Sequence, residues 1–277
     1  MSEAVNADQI AYWNAQAGET WATLQQRLDR QLDPLGRAAA AALAPARGER
    51  LIDIGCGCGD TSLMLGEAVG PGGSVLGVDI SAPMLDVARR RSGDVGNVSF
   101  LEADAQTHAF EPGAADAVYS RFGVMFFADP TGAFANIRGA LKPGGRLAFV
   151  CWRPLAANDW MLVPLGAALR HVPPPPPPDP LAPGPFAFAD PERVRGILGG
   201  AGFRDIAIEP QDHRIGAGDL ESSVQMALRV GPLGMLLREN PGQKDAVVGA
   251  VREALAPHEG ADGVKLPAAV WIVTARA

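Results

Sequence analysis

The sequence predicts an α/β protein: a doubly wound, mostly parallel sheet with helices on both faces. Two observations carry this. Short apolar runs alternate with helical runs from Leu51 to Trp152, the pattern of repeated strand–helix units. Within it, residues 51–60 (LIDIGCGCGD) read as a strand, a glycine turn and the start of a helix. That order opens a nucleotide-binding α/β unit. Glycines let the backbone turn sharply, and a helix start offers free N–H groups to a ligand.

The glycine spacing narrows the ligand. A dinucleotide fingerprint counted from Gly55 would place its third glycine at position 60, which is Asp60; the glycine falls one residue earlier, at Gly59. An aspartate facing a pyrophosphate is repelled. Asp60 or Asp53 would instead favour a ligand bearing an ammonium or sulfonium. A tight turn with no ligand is the plain alternative, and the ordered series of pieces downstream argues against it.

The run LIDIGCGCGD resembles the first motif of class I S-adenosylmethionine (SAM)-dependent methyltransferases. The chain is similar in character to the ubiquinone/menaquinone C-methyltransferase type, strongly over residues 50–152 and weakly elsewhere. The resemblance implies a Rossmann-like sheet of seven strands, the last antiparallel. It implies SAM as cofactor and S-adenosylhomocysteine as product, with Asp53, Gly55, Cys56, Gly57 and Gly59 around the cofactor.

Composition narrows the partners. The chain has 277 residues, 47% hydrophobic and 20% charged, which suits one large soluble domain or a core with an insertion. Its net charge of −7, without a basic cluster, excludes nucleic acid and anionic membrane as expected partners. No apolar run is long enough to span a bilayer, and the polar N-terminus does not read as a signal peptide, so a cytoplasmic location is expected. Three cysteines form no disulfide framework or zinc motif, so Cys56 and Cys58 read as small turn fillers and no metal is expected.

In chain order, Ile10, Trp13, Ala17, Trp21, Leu24, Leu28 and Leu32 form an apolar helical stripe over residues 9–32, with a break expected near Gly18. In related methyltransferases an N-terminal helix closes over SAM. The resemblance therefore makes residues 1–45 a lid, with Trp21 at the cofactor and Tyr12 and Trp13 at the substrate. Asp33-Pro34 is expected to start a second helix.

Residues 74–79 form the second strand. Asp79 lies 20 residues beyond Gly59, near the distance of a ribose-binding carboxylate, and Ser81 with Pro83 supplies the next helix cap. The resemblance assigns Asp79 to the ribose and Ile80 and Met84 to the adenine. After the third strand, residues 98–101, it assigns Asp104 to the adenine amino group and the Ala105 N–H to a ring nitrogen. The fourth strand begins at residues 115–118 and leads to Ser120, Arg121 and Phe122, whose place at a strand's carboxyl end faces a ligand. Arg121 has several readings: a partner for Asp53 or Asp60, a group orienting the SAM carboxylate or the substrate, or a surface ion pair. Helix 134–141 stops at Lys142-Pro143-Gly144-Gly145, and residues 146–152 are the fifth strand. Residues 46–152 thus form the cofactor core.

Residues 153–200 change in composition. Six prolines, residues 173–178, cannot be helix or central strand and are expected as a stiff edge of a substrate pocket. Trp152, Trp160, Phe186 and Phe188 are expected to contact substrate. Residues 201–277 complete the sheet, with strands at 206–209 and 268–274 and helices at 220–237 and 244–255.

Methyl transfer from a sulfonium needs mainly positioning and exclusion of water, with a base only if the nucleophile keeps its proton. No histidine sits in a catalytic motif; His171, His213 and Arg121 are the candidates. A nucleophile elbow is absent, and so is the Pro-Pro-aromatic signature of DNA amino-methyltransferases, where the fourth strand ends in SRFG. The expected function is methyl transfer to a hydrophobic or aromatic small molecule. A SAM-binding protein without transfer and an NAD-dependent oxidoreductase are the alternatives. Acceptor atom and oligomeric state stay open.

Overall fold

The computed structural model describes residues 6–176 and 179–277. The first five residues of the polar N-terminus, and Pro177 and Pro178 of the proline run, lie outside the described residues.

Three helices lead into the sheet: α1 (Ala7–Asn14), α2 (Gln16–Thr23) and α3 (Gln25–Leu43). The expected break near Gly18 does not occur; the chain bends at Ala15 and Leu24 instead. Gly18 stays helical because its missing side chain is a packing requirement: a Cβ there would lie 2.0 Å from the Trp13 carbonyl oxygen and 2.6 Å from Ser81 Oγ. Asp33-Pro34 does not start a helix either, since Pro34 lies inside α3. Leu28, Leu32, Leu35, Ala39 and Leu43 continue one buried stripe across it. Full burial of a leucine side chain contributes about 1.5–3 kcal/mol, so the four leucines together offset the roughly 3 kcal/mol cost of an interior proline.

The core then alternates: β1 (Arg50–Ile54), α4 (Asp60–Val69), β2 (Ser74–Asp79), α5 (Ala82–Ser92), β3 (Val98–Glu102), β4 (Ala115–Arg121), α6 (Pro130–Ala140) and β5 (Leu141–Trp152). The central strands are buried, which is why they read as apolar runs rather than alternating ones. After β5 come α7 (Asp159–Ala168), α8 (Pro191–Gly200), β6 (Arg204–Gly218), α9 (Leu220–Ala227), α10 (Gly231–Glu239), α11 (Lys244–Leu255), the two-residue β7 (Glu259–Gly260) and β8 (Gly263–Arg276).

The strand order is β3-β2-β1-β4-β5-β8-β6, with β7 paired to β8. Neighbours from β3 to β5 are parallel, and β8 runs antiparallel between β5 and β6. The sheet therefore has the expected seven-strand path and antiparallel last strand, plus one short extra strand. The last two long strands extend well beyond residues 206–209 and 268–274, because their pairing, from Ala207↔Thr274 to Gly218↔Val264, continues past Val270, where the pairing of β8 with β5 ends. Helix 220–237 is two helices, parted at Leu228–Val230.

Successive residues of a strand face opposite sides of the sheet, so neighbours in sequence can serve different layers. On β5, Phe149 packs with Phe134 of α6 and with Phe188. Trp152, on the other side, meets Phe122 and Trp160. Helix α3 covers this second side, descending from the strand tips: Gly36 meets Tyr119 and Arg121, and the Leu43 carbonyl accepts from Arg146 near the start of the buried part of β5. Among the described residues no helix is long and apolar enough to cross a membrane.

Candidate functional site

The three glycines of the turn do different jobs. All have positive φ: 67° at Gly55, 53° at Gly57 and 82° at Gly59. A Cβ on Gly55 would lie 2.6 Å from the Gly123 Cα, where the loops after β1 and β4 touch. A Cβ on Gly59 would lie 2.9 Å from Phe100 and 3.0 Å from Ala88. On Gly57 it would meet only Met84 Sδ, at 3.8 Å. Gly55 and Gly59 thus serve packing, and Gly57 borders open space.

Asp79, at the tip of β2, is tied into this turn. Its carboxylate accepts the Gly57 N–H at 2.7 Å and the Ser81 N–H at 2.8 Å. Burial raises its pKa, against the lowering effect of these bonds. Each oxygen keeps a second lone pair. Asp53 is wholly buried and does not face open space. It accepts the hydroxyls of Thr61 and Ser62 at 2.7 Å each, which fastens the first turn of α4 to β1. Its other oxygen, Oδ1, has no partner among the described residues, and burial pushes the carboxyl pKa up to about 6. Cys56 and Cys58 are buried thiols, Cys58 pushed by burial to about 12, as suits turn fillers rather than ligands.

Ser81 does not cap α5. Its hydroxyl donates to the Trp13 carbonyl, while Asn14 Oδ1 accepts the Ala82 N–H and Asn14 Nδ2 donates to the Ile80 carbonyl. The N-terminal helices therefore bind the loop after β2 directly. Trp13 packs edge-on against Trp21 and Phe126, and Arg238 of α10 donates to the Tyr12 hydroxyl at 3.0 Å. No local pattern marks the Asn14 cap, because its partners lie 66 and 68 residues away.

Arg121 pairs with Asp60 at 3.0 Å and with Asp29 of α3 at 3.5 Å; Arg91 joins the same two carboxylates. Of the two expected acidic partners, the pairing is with Asp60 rather than Asp53, in a half-buried four-membered cluster. Burial and the neighbouring Asp60 raise the Asp29 pKa. Past β3, Asp104 accepts the Gln106 N–H, and the Ala105 N–H has no protein partner among the described residues. Ser120 is buried at the end of β4 and accepts the Gly123 N–H.

Phe122 has φ 63°, a conformation costly for a bulky side chain. That backbone lays its ring flat on Trp152, with centroids 4.1 Å apart, and Trp160 follows at 5.1 Å. Beyond Trp160 is a cavity of about 40 Å³ lined by Gln31, Met161, Ile215, Met226 and Leu266 among others. Two buried polar atoms at its lining residues lack partners among the described residues: Gln31 Oε1 and Trp160 Nε1. Gln31 is absent from the sequence-derived candidates. The available signal is a polar residue on the stripe Leu24, Leu28, Leu35.

Other expected contacts are not brought there. Phe188 is a core residue packed on Phe134 of α6 and Phe149, on the side of β5 opposite Trp152. Phe186 lines a larger surface groove of about 770 Å³ with Arg153, Pro180, Leu181 and Trp271, on that same opposite side. Pro173–Pro176 are exposed and line neither hollow. His171 is exposed at the end of α7. His213 contacts Gln211 and shares a face of β6 with Ile215 of the cavity, one pleat away.

The residues around Gly57 suit an adenosine-bearing ligand: open space, a carboxylate at a strand tip, an aspartate and a free N–H after β3. Comparisons with known proteins agree. The family profile described as a methyltransferase domain matches residues 52–149. A demethylmenaquinone methyltransferase of Thermus thermophilus is 37% identical over 179 residues, 60% of this chain and 79% of that protein. An aklanonic acid methyltransferase of Streptomyces sp. (strain C5) is 38% identical over 118 residues, 42% of this chain; the match spans about half, 54%, of that relative. The solved phosphoethanolamine N-methyltransferase 2 of Haemonchus contortus, bound to S-adenosylhomocysteine, shares the fold with a TM-score of 0.55 at 21% identity, covering 88% of this chain and 52% of that one. The chain belongs to the class I S-adenosylmethionine-dependent methyltransferases.

Proposed function

We propose that the protein transfers the methyl group of SAM to a hydrophobic or aromatic small molecule. The observation that carries this is the layout at the strand tips: the Gly57 opening, and beside it a run of aromatic rings ending in a mostly apolar cavity. When bound, SAM supplies an activated methyl group, and the chain's residues position the two reactants. Gly57, with Gly55, Gly59 and Cys56 shaping its turn, gives the cofactor room; Asp79 accepts from ribose; Ile80 and Met84 flank the adenine; Asp104 and the Ala105 N–H bond its edge. Asp53 and Ser120 support this cradle from beneath. Trp13 and Trp21 close over it and exclude water, with Tyr12 latched to α10. Phe122, Trp152 and Trp160 form the apolar wall for the acceptor. His213 is the one candidate base beside the cavity; His171 is too far out, and Arg121 is engaged by carboxylates.

The relatives are named for demethylmenaquinone and aklanonic acid, which supports a small-molecule acceptor over a macromolecule. Three buried free thiols fit a reducing cytoplasm. The test is calorimetry with SAM, S-adenosylhomocysteine and NAD, then incubation with methyl-labelled SAM and metabolite extracts. Binding of the first two and label in an organic-soluble product are expected. Affinity for NAD without heat from SAM would overturn the cofactor assignment; label on protein or nucleic acid alone would overturn the acceptor class.

A further inference from the structure

Polar groups buried in a protein interior are nearly always hydrogen-bonded, so an exception asks for an explanation. Six buried side-chain atoms lack partners among the described residues, and two of them belong to residues lining one cavity. Gln31 is 5% exposed, and its amide enters no hydrogen bond with a described residue. Trp160 Nε1 is a donor that cannot accept. The third polar residue of the lining, Ser223, is already engaged, donating to the Gly218 carbonyl at 3.4 Å. The rest of the wall is apolar: Met161, Ile215, Met226, Leu233 and Leu266 among them.

The cavity also lies where an acceptor molecule would end. Helix α3 descends from the strand tips, and Gly36 is level with Arg121 at the end of β4. Gln31 is five residues earlier, about 7.5 Å higher along the helix at 1.5 Å per residue. Trp160 is joined through Trp152 to Phe122, at the same strand's end. The volume of about 40 Å³ admits two or three atoms the size of water, not a whole ring system.

We propose that this cavity is an anchoring subsite for an oxygen substituent of the acceptor. An acceptor oxygen takes the Trp160 Nε1–H, and a hydroxyl donates to the Gln31 amide oxygen; one phenol-type hydroxyl meets both requirements. The substrate class is then an oxygenated, otherwise apolar ring compound, and Gln31 and Trp160 are its specificity determinants. This rests on the cofactor and acceptor assignments above and goes further, because it names the polar feature that the apolar wall selects.

The test uses the full chain with S-adenosylhomocysteine present and three probes: 2-naphthol, 2-methoxynaphthalene and naphthalene. Their affinities are measured by calorimetry for wild type, Gln31→Leu and Trp160→Phe. Naphthol donates and accepts, the methyl ether only accepts, and naphthalene does neither. Wild type should prefer them in that order, roughly tenfold per bond, since 1.4 kcal/mol is tenfold. Gln31→Leu should abolish the preference for naphthol over its ether. Trp160→Phe should abolish the preference for the ether over naphthalene. Gln31→Leu should also raise the Tm of the ligand-free protein, because it removes an unpaired buried amide. A wild type that treats the three probes alike, variants that keep its preferences, or a fall in Tm on Gln31→Leu would each overturn the proposal. Failure of the wild type to bind S-adenosylhomocysteine would instead sink the cofactor reading, which keeps the two failures distinct.

Discussion

The glycine turn and the cavity beyond Trp160 are built by different means. On the β1–β3 side, the site is made from backbone: glycines at positive φ, free N–H groups and carboxylates at strand ends, all within Asp53 to Ala105. On the α3–α7 side it is made from side chains gathered across the chain, from Gln31 to Leu266. The first side leaves little freedom, because a Cβ at Gly55 or Gly59 collides with its neighbours. The second depends on a volume and on two polar side chains, Gln31 and Trp160, brought to one lining from distant parts of the chain. On the proposed assignment, a shared cofactor constrains the backbone side and a particular acceptor is selected on the other.

The largest expected effect lies within the glycine turn. Gly55→Ala puts a Cβ 2.6 Å from Gly123 at a positive φ, and should destabilise the fold by about 3 kcal/mol or more. Gly57→Ala meets only Met84, so it should cost about 1 kcal/mol of stability but at least tenfold in SAM affinity. Denaturant unfolding and calorimetry separate the two; equal stability losses would remove the distinction between packing and ligand glycines.

Asp79→Ala comes next. The sequence alone suggests that the fold survives this change and only affinity falls. The structure adds that the carboxylate holds the Gly57 and Ser81 amides, so a stability loss of about 3 kcal/mol should accompany the loss of SAM binding. An unchanged unfolding midpoint would mean that those amides find other partners.

Asp53 gives a pH signature. Its native pKa of about 6 lies above its ordinary value of 3.8, so the folded state holds the proton more tightly than the unfolded state. That contribution is fully present below the unfolded pKa and is lost as pH rises through 6, by on the order of 2–3 kcal/mol. Asp53→Asn removes this dependence. The variant's stability relative to wild type should therefore rise by that amount between pH 4 and 7; parallel pH profiles for the two proteins would rule the assignment out.

The smallest effect is expected from the proline run. Replacing Pro173–Pro176 by serines should leave SAM binding and turnover within about twofold, because these residues are exposed and line neither hollow. A larger loss of turnover would restore the run as part of the pocket wall. Extending the replacement to Phe188 would remove a core side chain and test folding rather than substrate choice.

By itself the sequence determined the parallel core, the strand–glycine turn–helix, the place of Asp79 and Asp104 at strand ends, and the antiparallel last strand. Each depends on neighbours within a few residues or on the order of the motifs. Only the tertiary structure decided that α3 runs through Pro34, since the offsetting burial comes from strands far along the chain. Asn14 rather than Ser81 caps α5, Phe188 belongs to the opposite side from Trp152, and Gln31 and Trp160 line one cavity, for the same reason. Local propensity carries no information on which distant side chain arrives to satisfy a hydrogen bond or fill a volume, and the lining of the cavity beyond Trp160 consists of such arrivals.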